Sequence, residues 1–147
     1  MSMLMNTPFA PYLRKVQFYE TDAMGIIHHA NYIRWFEESR VDFMEKMGFP
    51  YFNAVKAGID FALLSVSCEY KSQVRFGDTV SVQVGITEFT PTRMTIIYNI
   101  FDSITKALRT IGESKHCYFS SDRQRPISLK KELPELFEKF LGVINKD

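Results

Sequence analysis

Several things are scarce in this chain, and each scarcity removes a class of protein. Cysteine occurs only at Cys68 and Cys117. The two lie far apart in strand-like runs, so they read as small buried hydrophobes and neither as a disulfide nor as a metal pair. No apolar run approaches the length that crosses a bilayer, so no membrane partner is expected. Net charge is only +1 and no block of Lys or Arg occurs, which argues against a nucleic-acid surface. A helix pair of the DNA-binding kind is also missing. The opening MSMLMNTPFAPY lacks the charged start and long apolar middle of a signal peptide, which points to a cytoplasmic protein. There is no internal repeat, low-complexity tract or linker. The 147 residues therefore read as a single domain with its core at about 13–140.

Aromatic residues are plentiful, with 13 Phe and 7 Tyr against an apolar share of 46%, enough for a packed core. Residues 1–13 show little pattern, and 15–19 reads as a short extended segment. Ala23, Met24 and Gly25 then form a turn in which Gly25 is free to adopt a positive φ. A helix is predicted to begin between His29 and Asn31 and to end at Met47. Ile33, Phe36, Phe43, Met44 and Met47 supply its apolar stripe. Gly48 suits the position just past its end, and Pro50 prevents continuation. Glu37 and Glu38 read as acids favoured by the helix dipole, and Lys46 as a cation in the last turn.

Beyond a connecting stretch at 51–60 the period changes to two. In 61–70 one face is expected to carry Ala62, Leu64, Val66, Cys68 and Tyr70. In 79–87 it carries Val80, Val82, Val84 and Ile86, and in 93–101 Met94, Ile96, Tyr98 and Ile100. Phe76-Gly77-Asp78 and Asp102-Ser103 read as turns, and a last long strand lies within 106–120. A short closing helix follows, with Pro134 in its first turn. Strand, long helix, then four antiparallel strands gives an α+β fold with a strongly curved sheet around one central helix. The bare second face and free edges make a dimer with sheets joined side by side the natural assembly.

Lys15-Val16, the run Thr21-Asp22-Ala23-Met24-Gly25-Ile26-Ile27-His28-His29, and its continuation through Asn31, Tyr32 and Trp35 to Arg40 closely resemble the signature of the 4-hydroxybenzoyl-CoA thioesterase family of hotdog-fold proteins. Tyr70 and Phe76-Gly77-Asp78-Thr79-Val80 resemble that family's second landmark. Gln73 departs from the pattern, since many relatives carry Pro there; the change bears on a strand bend. The resemblance implies hydrolysis of acyl-CoA, or acyl-carrier-protein, thioesters with neither metal nor cofactor. It gives Asp22 the part of nucleophile or general base, and it makes Ile27, His28 and His29 the donors of backbone N–H groups at the start of the helix. It also implies homo-oligomers, dimers or homotetramers, whose sites lie between subunits.

The chemistry of the block agrees with that expectation. A thioester carbonyl under attack develops an oxyanion, and donors fixed toward it are commonly the largest catalytic term. A helix N-terminus supplies unpaired N–H groups and a favourable dipole, and Gly25 lets backbone approach the ligand closely. Asp22 also has a plainer reading, as an Asx-turn residue. His28 and His29, adjacent in the turn, are expected to point differently. One would line the pocket or hold Asp22 while the other packs, and a metal half-site with Asp22 or His116 is the lesser reading. Tyr32 is placed against the acyl group and Trp35 in the core or an interface. Arg93 is a candidate for the CoA phosphates, against a plainly solvated arginine. A hydratase or dehydratase on the same fold, and a non-catalytic acyl-CoA binding module, remain open.

Overall fold

The computed structural model describes residues 9–144. Most of the N-terminal stretch read above lies outside that range. The elements run β1 (Tyr12–Lys15), a 3-10 turn at Phe18–Glu20, α1 (Ala30–Met47), α2 (Tyr51–Lys56), β2 (Ile59–Tyr70), β3 (Thr79–Phe89), β4 (Arg93–Asp102), β5 (Leu108–Ser120), β6 (Arg125–Pro126), α3 (Leu129–Glu132) and α4 (Pro134–Val143). The strands form one antiparallel sheet in the order β1-β3-β4-β5-β2, with β6 paired to β5. The long helix α1 lies against its inner face, which is the expected hotdog architecture. Among the described residues no helix is long and apolar enough to cross a membrane.

The helix ends where its chemistry requires. Gly48 takes φ 91°, and the N–H groups of Gly48 and Phe49 bond back to Glu45 and Met44 carbonyls, each at 3.1 Å. Its other end is bare: His29 provides no side-chain cap and the first turn holds no acid. Glu37 and Glu38 therefore do not owe their places to the dipole, whose influence fades within the first turn. Glu38 instead accepts from Tyr12 Oη at 2.9 Å and Arg14 Nε at 2.8 Å. The buried face of α1 is Tyr32, Trp35, Phe36, Phe43, Met44 and Met47. Ile33, expected in that stripe, is 39% exposed. Phe36 stacks on Tyr98 of β4 with centroids 4.2 Å apart, and fully burying such a side chain contributes about 1.5–3 kcal/mol.

Two strands differ from the sequence reading. The first begins at Tyr12, earlier than the expected 15–19, because Tyr12 and Arg14 pair with Val82 and Val80 and face the helix. In β2 the alternation changes phase. The register with β5 slips between Leu63 and Ser65, leaving Leu64 as an extra, bulged residue. Ile59, Phe61 and Leu63 therefore share the inner face with Val66, Cys68 and Tyr70, while Ala62 and Leu64 do not. The inner faces of β3 and β4 are as expected, with Val80, Val82, Ile86, Met94, Ile96, Tyr98 and Ile100 all buried. At the far end α4 closes the core, Phe137 and Phe140 meeting Phe89 at 4.9 and 5.4 Å.

Candidate active site

The segment between β1 and α1 is a tight loop held on both sides. Thr21 and Ile27 bridge each other and Ile26 bridges Arg75, while Asp22 N–H donates to the Ile26 carbonyl at 2.9 Å. Gly25, at φ 74°, closes the loop, and its carbonyl accepts from Phe76 N–H at 3.2 Å. Asp22 is exposed, and its Oδ1 accepts from Met24 N–H at 2.8 Å and Ile26 N–H at 3.3 Å. That is an Asx turn. Among the described residues Oδ2 has no hydrogen-bond donor, so one carboxylate oxygen is fixed while the other faces outward.

The three amides expected at the helix start have different fates. Ile27 N–H donates to the Val74 carbonyl at 3.0 Å and His28 N–H to the Glu20 carbonyl at 2.9 Å. Among the described residues the His29 N–H meets no acceptor. It sits at the uncapped end of α1, where the orphan donors and the dipole favour negative charge. The two histidine rings do not diverge; they stack with centroids 4.4 Å apart, and His28 Nδ1 accepts from Ala30 N–H at 3.3 Å. No cluster of metal-ligating side chains forms among the described residues.

A cleft of about 310 Å³ opens here, lined by Ile26, Ile27, His29, Tyr32, Tyr70 and the 71–73 segment. Tyr32 is buried, edge-on to Trp35 at 5.3 Å and Tyr70 at 5.0 Å. Burial pushes its phenol above the ordinary value. Burial also raises Tyr70, to about 12, with a further push from Cys68. The 71–73 wall is fixed from β5: Lys71 and Ser72 N–H bond to the Arg109 carbonyl, and Arg109 Nη1 reaches Ser72 Oγ at 3.0 Å. Arg93 is not part of this cleft. It begins β4 at the opposite end from Ile100, whose neighbour Thr110 pairs with Tyr70. Seven residues of strand put about 23 Å between them.

The residue that sequence reasoning passed over is Glu20. It is 2% exposed and accepts a bidentate pair from Arg14 Nη1 and Nη2, at 3.0 and 2.9 Å. Gln17 N–H at 2.8 Å and Trp35 Nε1 at 2.9 Å complete it. Its own carbonyl takes both His28 N–H and Asn31 Nδ2, each at 2.9 Å. Glu20 therefore sets where α1 begins and so where the His29 amide stands. Gln17, three residues before it, makes a local capping box at the 3-10 turn, but Arg14 and Trp35 lie six residues before it and fifteen after, a spacing that marks no local motif.

A family model described as the Thioesterase-like superfamily matches residues 16–139. A candidate esterase of Aquifex aeolicus is 36% identical over 127 residues, covering 86% of this chain and 96% of that one. A candidate acyl-CoA thioesterase of Bacillus subtilis, YneP, is 28% identical over 121 residues, covering 82% and 87%. Among solved structures, a DHNA-CoA thioesterase from Staphylococcus aureus superposes with a TM-score of 0.86 at 28% identity, covering 90% of this chain and 89% of that one.

Proposed function

The chain belongs to the Thioesterase-like superfamily and to its acyl-CoA thioester hydrolases, and on that footing we propose that Asp22 is its catalytic carboxylate and the His29 N–H its oxyanion donor. The observation that carries this reading is the His29 amide, unspent among the described residues, at a helix end with no His29 side-chain cap and no acid in its first turn, next to a loop that fixes one oxygen of Asp22 and, among the same residues, leaves the other unbonded.

The acyl carbonyl oxygen sits on the His29 N–H, its developing charge favoured by the helix dipole. In one route Asp22 takes a proton from water as the water oxygen bonds to the carbonyl carbon. The tetrahedral intermediate then expels the CoA thiolate, which recovers the proton. In the other, Asp22 bonds to the carbonyl carbon itself, thiolate leaves, and water opens the resulting anhydride. Both end in free acid and thiol. Tyr32 and Tyr70 wall the acyl group, and no step calls on a metal or cofactor.

The protein acts as a cytoplasmic homo-oligomer in this reading. Among the described residues strand β2 ends the sheet with a free edge, on which Leu63 and Leu64 are 50% and 49% exposed, and a second copy pairing there extends the sheet.

The test is thiol release from a panel of acyl-CoAs and acyl-carrier-protein esters, for the wild type and Asp22→Asn. Turnover by the wild type, reduced by orders of magnitude in the folded variant, is the expected result. Equal turnover removes Asp22 from the chemistry. Binding without turnover of any ester overturns the hydrolase reading in favour of a binding module.

A further inference from the structure

Asn31, the second residue of α1, is 4% exposed, and its side-chain amide is fully used. Nδ2 donates to the Glu20 carbonyl at 2.9 Å and to the His28 carbonyl at 3.2 Å, and Oδ1 accepts from Arg34 Nη1 at 3.1 Å. Only one way round of the amide satisfies all three contacts, with the NH2 end toward the two carbonyls and the oxygen toward the guanidinium. Helix capping does not call for this arrangement. A cap accepts from backbone N–H groups, whereas Asn31 donates to backbone carbonyls that precede the helix.

The His28 carbonyl belongs to the same peptide group as the His29 N–H. That group is planar and trans, so its C=O and N–H point in opposite directions and turn together. The carbonyl takes two donors, Asn31 N–H at 3.0 Å and Asn31 Nδ2 at 3.2 Å. The preceding peptide is pinned as well, since His28 N–H donates to the Glu20 carbonyl at 2.9 Å, the other acceptor that Asn31 holds. Among the described residues the His29 N–H is the unspent end of this assembly, and His29 lines the cleft. Two donors on the carbonyl draw electron density from the nitrogen and make its N–H a stronger donor. Arg34 adds to this from behind, because a guanidinium on Oδ1 strengthens Nδ2 as a donor in turn.

We infer that Asn31 is a positioning residue for thioester hydrolysis: by bonding the His28 carbonyl it aims the His29 N–H into the cleft and polarises it toward the oxyanion, with Arg34 acting through it. This rests on the His29 N–H being the oxyanion donor, as read above. Among the described residues the cleft wall does not include Asn31, so its effect reaches the ester only through that amide. Without the side chain, the carbonyl keeps one bond, from a backbone N–H three residues on, and the peptide group is free to tilt. An oxyanion donor acts where charge develops, so a tilt is felt in the transition state more than in the bound ester.

The test is Asn31→Leu, an apolar side chain of similar shape. The Glu20 and His28 carbonyls each keep a backbone donor in it, so the variant should fold. Asn31→Ser, whose single hydroxyl cannot bond both carbonyls, serves if it does not. With the most rapidly hydrolysed acyl-CoA of the panel, kcat should fall about tenfold to a hundredfold while KM stays within about twofold of the wild type. Arg34→Met should lower kcat less, and should add nothing to Asn31→Leu. Gly112→Ala, destabilised through Phe36 and not through the loop, should keep the wild-type kcat.

A second readout needs no turnover. The carbonyl stretch of a thioester falls in frequency as a donor polarises it. Carbonyl-labelled benzoyl-CoA and octanoyl-CoA bound to Asp22→Asn should show that fall by infrared difference spectroscopy, and adding Asn31→Leu should reverse most of it. Unchanged kcat, a loss carried by KM, or a shift that survives Asn31→Leu overturns the inference while leaving the His29 donor standing. Losses that add in the double variant overturn the part given to Arg34. No shift in Asp22→Asn itself refutes the His29 donor, and the role of Asn31 falls with it. If no ester is bound or turned over, the hydrolase reading fails first and takes this one with it.

Discussion

Trp35 Nε1 donates to Glu20 Oε2 at 2.9 Å, so the second turn of the central helix is bonded, inside the core, to the residue that sets where that helix starts. The acid is shared with Arg14 at 2.9 Å on the same oxygen, and Arg14 also bonds Glu38 at 2.8 Å. Removing one member of a buried pair leaves the other uncompensated. Glu20→Gln should therefore cost about 2–4 kcal/mol in urea unfolding, and Trp35→Phe about 1 kcal/mol from the lost bond. A Glu20→Gln loss below about 0.5 kcal/mol, the size of an exposed pair, would show that the buried cluster contributes little.

Gly112 is required by Phe36. A Cβ added at Gly112 would sit 2.2 Å from Phe36 Cζ, and that ring cannot retreat because Tyr98 stacks on it. Overpacking of this sort costs about 1–3 kcal/mol. Gly112→Ala should lower stability by that amount, and Phe36→Leu introduced with it should recover part of the loss. Additive losses in the double-mutant cycle would disprove the clash.

The His116 imidazole is kept neutral, its pKa lowered from 6.5 to about 4 chiefly by burial. Between those values the unfolded chain binds the proton and the folded one does not, so stability rises with pH across that window. The contribution is full above pH 6.5 and fades as pH falls toward 4, amounting to about 3 kcal/mol at most. Denaturation curves from pH 4 to 7 should show this slope in the wild type and a shallower one in His116→Leu. An unchanged slope would mean that the acid sensitivity lies in the carboxylates.

Structural and chemical roles of Asp22 can be separated. Asparagine keeps an Oδ1 that accepts from the Met24 amide, so Asp22→Asn should melt within a few degrees of the wild type while losing a factor of about 100 or more in turnover. Asp22→Ala should lose the turn as well, with about 1 kcal/mol of stability. A large loss of stability in Asp22→Asn would show that the negative charge itself holds the loop.

Light scattering should give two or four times the 17.1 kDa chain mass. A monomer that still turns over would remove the β2 edge from the proposal.

The helix was the most legible part of the chain, since Gly48 and Pro50 end it by local rules and its aromatic face repeats. Strands β3 and β4 were legible for the same reason, their buried residues being aliphatic. The inner face of β5 was not. It carries Thr110, Ser114, His116 and Ser120 among its buried residues, and a polar face read by hydropathy looks like the solvent side. The 22–29 block could be read as a turn entering a helix, but which amides it leaves free depends on Val74 and Glu20. Those bonds are tertiary and leave no periodic trace. Arg40 was hidden likewise, because the Tyr98 hydroxyl it bonds sits on β4 and is itself held by Ser114 on β5.

The bulge at Leu64 gives β2 one residue to spare. A regular strand that gains or loses a residue turns everything beyond that point to its other face. Here, losing one residue at the bulge would restore unbroken alternation and leave Val66, Cys68 and Tyr70 facing the helix, still opposite Ser114, Gly112 and Thr110. Homologous sequences should accordingly be one residue shorter at this point more readily than elsewhere between Ile59 and Tyr70.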